Sequence, residues 1–284
     1  MNNYNIAFIG AGNLAKAIIS GLISNSYPAK KIWASNPTSP KLNALYSEFG
    51  INTTTSNLDA AVNADILILT VKPINIAKVC QEIREVIAIK NPLLISTAVG
   101  ATTTLIQQYI GTDRAVILAM PNIPATVKAA ATGLYANNRV HDFQKEKAEN
   151  IFRSIGITLW VEKESDIGIV CSLSGSGPAY IFYVMEAIQK TGEKLGLSKK
   201  VAMLLTEQTV IGASKMALES GETLENLRQA VTSPKGTTEQ AIKILDKFQV
   251  FEAFEGAISS AVKRYKEVTQ ILTNEAEKEN GTKL

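Results

Sequence analysis

A chain of 284 residues with 46% hydrophobic and 19% charged side chains is long enough for two globular domains with sizeable cores. Its formal charge of +3 is scattered rather than gathered into basic runs, which argues against nucleic acid and membrane surfaces and leaves small molecules as the expected partners. Two cysteines, Cys80 and Cys171, and a single histidine, His141, do not make up a zinc set, so no metal is expected.

The opening MNNYNIAFIG enters an apolar strand pattern without a basic leader. No uninterrupted apolar run of membrane-spanning length follows, so a cytoplasmic protein is expected. The first strand runs into GAGNLA, where Gly10, Gly12 and Ala15 fill the G-x-G-x-x-G/A pattern at a strand-to-helix turn and point to a dinucleotide. In that reading Gly10 permits the turn, Gly12 lets a pyrophosphate approach the backbone, and Ala15 keeps helix and sheet close.

A second strand, KIWASN, leads into ASNPTSPK, the place where an NAD-preferring site carries Asp or Glu for the ribose 2′-hydroxyl. No carboxylate stands there. Ser35, Asn36, Thr38 and Lys41 offer donors to a 2′-phosphate instead, so NADPH is expected ahead of NADH. The run Ile66 to Val71 is apolar at almost every position, as in a central strand covered on both faces. It ends in TVKP, Thr70 to Pro73, at the carboxyl edge where such sheets bind ligands. Lys72 there either approaches cofactor phosphates or is a solvated lysine before a helix opened by Pro73.

LLISTAV, RAVILAM, GLYANN and ITLWV continue the alternation of strand and helix to about Val161, which predicts an α/β domain with a parallel sheet and helices on both faces. Beyond it, Val201 to Glu219 and Phe251 to Leu272 carry apolar residues at helical spacing, with no convincing strand. Gly196 and Ser198 close one helix and open the next, and the polar tail EAEKENGTKL is expected to fray. Val201 to Ala217 has few charged positions to face water, so part of that surface is expected to meet another subunit. In VTSPKGTTEQAI, hydroxyl side chains and Gly236 crowd a helix start, and the stretch reads either as a plain helix entry or as an anion cup. His141 precedes a polar helix and is expected in solvent; Cys171 reads as a small core residue.

FIGAGNLA, TVKP, MPNIPATV, LSGSGPAY and VTSPKGTTEQAI fall in the order and approximate spacing of one family, and along nearly its whole length the chain resembles pyrroline-5-carboxylate reductase. The resemblance implies a Rossmann NAD(P)-binding domain, here residues 1–163, followed by an all-α dimerisation and substrate-binding domain, 164–284. Its implied reaction is hydride transfer to 1-pyrroline-5-carboxylate, giving proline, in a homodimer that many relatives assemble further as pentamers of dimers. Cofactor contacts carry over to Gly10, Ala11, Gly12, Asn13, Leu14, Asn36, Thr38, Asn57, Val71, Lys72, Pro73, Ala98 and Val99, with Met120, Asn122, Ser176, Gly177 and Pro178 on the nicotinamide side. Ser233, Gly236, Thr237 and Thr238 become the cup for the substrate carboxylate, with Thr238 also donating toward the ring nitrogen, and Glu164 matches a ligand-associated position.

Three departures accompany the likeness. Lys235 replaces the first of two loop glycines, so a glycine-only torsion is not expected there. Pro37 stands where many relatives carry Arg, and Ala230 where some carry Asn. The rival enzyme class, the beta-hydroxyacid dehydrogenases, places a catalytic Lys where this chain has Ile181; a noncatalytic, redox-sensing NADPH-binding module is the other alternative.

Overall fold

The structure is a computed structural model, and residues 4–281 are described from it. In chain order its elements are β1 (Ile6–Ile9), α1 (Asn13–Ser24), β2 (Ile32–Ser35), α2 (Ser39–Phe49), β3 (Asn52–Thr54), α3 (Asn57–Val62), β4 (Ile66–Leu69), α4 (Ile76–Lys90), β5 (Leu93–Ser96) and α5 (Thr103–Ile110). They continue with β6 (Val116–Met120), β7 (Ala130–Ala136), α6 (Asp142–Arg153), β8 (Gly156–Trp160), α7 (Asp166–Val170) and α8 (Gly177–Lys194). The last are α9 (Lys199–Glu219), α10 (Leu224–Ala230), α11 (Thr237–Lys247) and α12 (Val250–Gly281).

Packing divides the described residues into two units, 4–176 with 261–281, and Gly177–Ser260. They part at Ser176–Gly177, whereas the expected boundary at 163–164 follows the last strand. In the first unit the strands form one sheet of order β3-β2-β1-β4-β5-β6-β7-β8. β1, β4, β5 and β6 are buried at every position because helices cover both faces. Successive residues feed opposite layers: Ile6 and Phe8 join Ile18, Ile19 and Phe152, while Ala7 and Ile9 join Leu67, Leu69, Ile83 and Ile106.

The expected parallel sheet needs two corrections. β7 runs antiparallel to β6, because the link from Pro121 to Ala129 is too short for the helical crossover that a parallel neighbour requires. β3 was not legible as a strand: its polar NTT is only half-buried at the sheet edge. The opposite edge, β8, leaves Ile157 and Leu159 exposed at alternate positions. The tail also departs from expectation, since α12 continues to Gly281 and Ala276 is fully buried in the second layer with Tyr265 and Leu272 against it. Those side chains recur at helical spacing and outweigh the polar composition around them.

In the second unit, α8 and α9 form a helical hairpin turned at Gly196, whose φ is +107°, and Ser198 Oγ caps α9 by accepting from Val201 N–H at 3.4 Å. Ala202 and Thr206 are its only fully buried side chains among the described residues, while Phe182, Leu204, Leu205, Ile211, Phe248 and Phe251 are exposed. One expectation about membranes is qualified: the helical stretch Asp166–Lys194 contains an 18-residue window of mean hydropathy 1.4, long and apolar enough to span a bilayer by length and composition.

Candidate cofactor and substrate sites

The turn after β1 is shaped by two glycines for different reasons. Gly10 has φ +107°, and a Cβ there would lie 2.7 Å from the Thr70 carbonyl oxygen. The Thr70 hydroxyl completes the lock by donating to the Gly10 carbonyl at 2.7 Å. Only glycine fits. A Cβ on Gly12, by contrast, meets no protein atom within 4 Å, and Gly12 caps α1 without any side-chain hydrogen bond. The first amides of α1 are therefore left for an anion, and the space above them is kept clear by the missing Cβ. This cradle fits a dinucleotide pyrophosphate.

The cradle opens on a cavity of about 720 Å³. Of the expected residues, Gly10, Ala11, Gly12, Asn36, Lys41, Asn57, Thr70, Val71 and Lys72 line it. Thr55, Asn75, Lys78 and Glu82 line it as well and were missed; Lys78 and Glu82 sit one turn apart on α4, a spacing whose relevance depends on knowing which face of α4 meets the cleft. Lys41, Lys72 and Lys78 make this wall electropositive.

Of the expected phosphate donors, one is corrected and another lies beside the cavity lining. Ser35 is fully buried, and its hydroxyl donates to Asn57 Oδ1 at 2.7 Å and to the Phe8 carbonyl at 3.4 Å, so it orients a lining residue instead of reaching the cavity. Thr38 is the residue before α2, and its hydroxyl and carbonyl oxygens accept from Asn36 Nδ2 at 3.0 and 3.1 Å; it does not line the cavity. Asn36 turns its Oδ1 to the Ala11 N–H at 3.5 Å, which ties the second-strand loop to the glycine turn.

Asn13, Leu14 and Asn122 meet in a smaller cavity of about 150 Å³. The Asn122 side chain is a brace: Nδ2 donates to the Ser174 carbonyl and Oδ1 accepts from Ala131 N–H, both at 3.0 Å. Ser174 lies in a π-helical turn, Cys171–Gly175, closed by Ser176 N–H donating to the Cys171 carbonyl at 2.9 Å, just before Gly177 and Pro178 open α8. Met120 is buried at the end of β6. Ala98 and Val99 precede Gly100, where φ is +79° and a Cβ would lie 2.9 Å from Val268 Cγ1, so α12 is seated directly on this loop. Pro73 opens a short 3-10 turn ahead of α4.

Glu164, expected near the ligand, has a structural task in the fold. Its carboxylate accepts from Thr103 N–H at 2.7 Å and from the Thr103 hydroxyl at 2.9 Å, which caps the start of α5. Burial pushes the Cys80 thiol up to about 12 and raises that of Cys171, so neither is an activated nucleophile. His141 is exposed at the start of α6, stacked on Phe143.

In the second unit, Ser233 to Thr238 forms the turn into α11. Gly236 N–H donates to the Ser233 carbonyl at 3.0 Å, Gly236 caps the helix with no side-chain hydrogen bond, and Thr237 and Thr238 occupy its first positions. Their N–H groups lack helical partners, as an anion cup requires. Lys235 has φ +60°, a left-handed torsion that favours glycine but that a lysine can adopt, so no glycine-only torsion is required there. Its N–H donates to Glu239 Oε2 at 3.2 Å, which helps to hold that strain. Lys243, at 3.1 Å, holds the Glu239 carboxyl below its ordinary range. Ile181 is exposed on α8.

A doubly covered sheet whose glycine turn opens on a dinucleotide-sized cleft, joined to a helical second unit, defines the class of nicotinamide-dependent oxidoreductases. Residues 164–268 match the family described as pyrroline-5-carboxylate reductase dimerisation, and residues 5–100 that described as NADP oxidoreductase, coenzyme F420-dependent. The pyrroline-5-carboxylate reductase of Pseudomonas aeruginosa is 42% identical over 96% of this chain and 99% of that protein. A solved pyrroline-5-carboxylate reductase from Coxiella burnetii is 48% identical, with TM-score 0.91 over 94% of this chain and 99% of that one. That of Plasmodium falciparum, solved with NADP bound, is 26% identical, with TM-score 0.85 over 95% and 99%. The chain belongs to the pyrroline-5-carboxylate reductase family.

Proposed function

We propose that this chain reduces the cyclic imine 1-pyrroline-5-carboxylate to L-proline, the last step of proline synthesis, with NADPH as the preferred donor and NADH as a second one. The observation that carries the reading is the cleft at the Gly10–Gly12 turn, where one glycine is demanded by Thr70 and the other only by what must sit above the α1 amides. When bound, the nicotinamide supplies the hydride.

The protein's own part is to hold and orient. Gly12 and the first amides of α1 take the pyrophosphate, Asn57 faces the adenosine half, and Asn13, Leu14 and Asn122 face the other end. Glu164 and Asn122 keep the loops around that end in place through Thr103, Ala131 and Ser174. Substrate carboxylate is received by the N–H groups of Thr237 and Thr238 at the start of α11, and the Thr238 hydroxyl donates toward the ring nitrogen. That hydrogen bond to the neutral imine nitrogen polarises the C=N bond toward hydride, and the nitrogen takes up a proton from solvent as the hydride arrives, so proximity and orientation carry the rate and no dedicated acid–base pair is needed.

Exposed apolar side chains on α8, α9 and α12 support a homodimer built through 164–284; pentamers of such dimers and a cytoplasmic location complete the proposal. The test is nucleotide oxidation with 1-pyrroline-5-carboxylate, run against a 3-hydroxyacid with NADP and NAD. Imine-dependent oxidation of NADPH is expected; activity on the hydroxyacid alone would favour the dehydrogenase class, and none on either would favour a noncatalytic nucleotide-binding module.

A further inference from the structure

The loop after β2 contains no acid, yet a carboxylate reaches the same end of that strand from elsewhere in the fold. Ser35, the last residue of β2, donates to Asn57 Oδ1 at 2.7 Å, and Asn57 Nδ2 donates to Glu82 Oε2 at 2.8 Å. One amide group therefore separates the end of β2 from the Glu82 carboxylate on α4. Asn57 and Glu82 both line the 720 Å³ cleft. Glu82 is exposed to it, and among the described residues no ion pair ties Glu82 to Lys41, Lys72 or Lys78 on the same wall, nor does its Oε1 take a hydrogen bond.

We propose that Glu82 is the ribose-reading carboxylate of this site, delivered from α4 instead of the second-strand loop, and that it limits how strongly the protein prefers a 2′-phosphorylated dinucleotide. The inference deepens the proposed function and rests on its cofactor reading. A carboxylate at this end accepts from a ribose 2′-hydroxyl by a charge-assisted hydrogen bond, and it repels a 2′-phosphate, whose charge the three lysines attract. Preference is the difference between these opposed effects, so a change at Glu82 moves it in a defined direction. Glu82 also fixes the Asn57 amide, because the nitrogen faces the carboxylate and the oxygen faces the Ser35 hydroxyl.

Glu82→Gln removes the charge but keeps an acceptor for Asn57, whereas Glu82→Ala removes both. Two probes read binding without turnover: calorimetric titration with adenosine 2′,5′-bisphosphate and with 5′-AMP. Glu82→Gln is expected to raise the affinity ratio of bisphosphate to AMP roughly three- to tenfold, and to raise the NADPH to NADH ratio of kcat/KM by a similar factor. An unchanged ratio in Glu82→Gln overturns the proposal. So does an equal loss for both probes in Glu82→Ala with Glu82→Gln unaffected, which would make Glu82 only a prop for Asn57. Failure of the wild-type protein to bind either probe would instead count against the dinucleotide reading itself.

Discussion

Thr238 concentrates the chemistry of the second unit in one hydroxyl at the start of α11. Thr238→Val keeps its shape and removes the hydrogen bond, so kcat/KM should fall roughly ten- to a hundredfold, equivalent to about 1.5–3 kcal/mol, with NADPH affinity and the thermal midpoint unchanged. A lower midpoint with normal turnover per folded molecule would mean that Thr238 only packs the helix. Three residues earlier, Lys235 carries a torsion that suits glycine, at φ +60°. Lys235→Gly should raise stability in a denaturant titration by about 0.5–1 kcal/mol. The sequence showed the substitution but not the torsion, because residue type constrains φ only through what the turn on either side imposes. Ser35 teaches the same lesson: its place in the loop motif suggested a donor, and the pleat of β2 turned it into the sheet.

Among the elements, the turn from β1 into α1 separates two uses of glycine that are indistinguishable in GAGNLA. Gly12→Ala meets no protein atom, so it should melt like the parent while NADPH affinity falls tenfold or more, by roughly 1.4 kcal/mol or above. Gly10→Ala runs into the Thr70 carbonyl and should destabilise the fold itself. Equal effects of the two changes on melting and binding would refute this division. The central strands were legible because burial on both faces leaves an unbroken apolar run. β3 was not, because a short polar strand is made by its neighbour and not by its own residues. α12 was underestimated for a related reason: the stripe Tyr265, Val268, Leu272 and Ala276 becomes meaningful only when the cofactor loop at Gly100 lies beneath it. Lys78 and Glu82 remained hidden for the same cause, since the topology alone brings α4 to the end of β2.

For the whole molecule, the contrast between the two units sets the expectation. The first has two packed layers of its own, whereas the second buries almost none of its large apolar side chains within the chain. Light scattering over a dilution series should therefore return a dimer or a larger even assembly throughout. Leu205→Glu, on the exposed side of α9, should weaken or dissociate it; a folded, fully active monomer would contradict this. What that assembly is held to do is most directly tested by stoichiometry, following proline formed against NADPH consumed when purified protein is given 1-pyrroline-5-carboxylate. The account predicts one proline for each NADPH, saturating with imine. NADPH consumed without proline, or no turnover with either nucleotide, would contradict it.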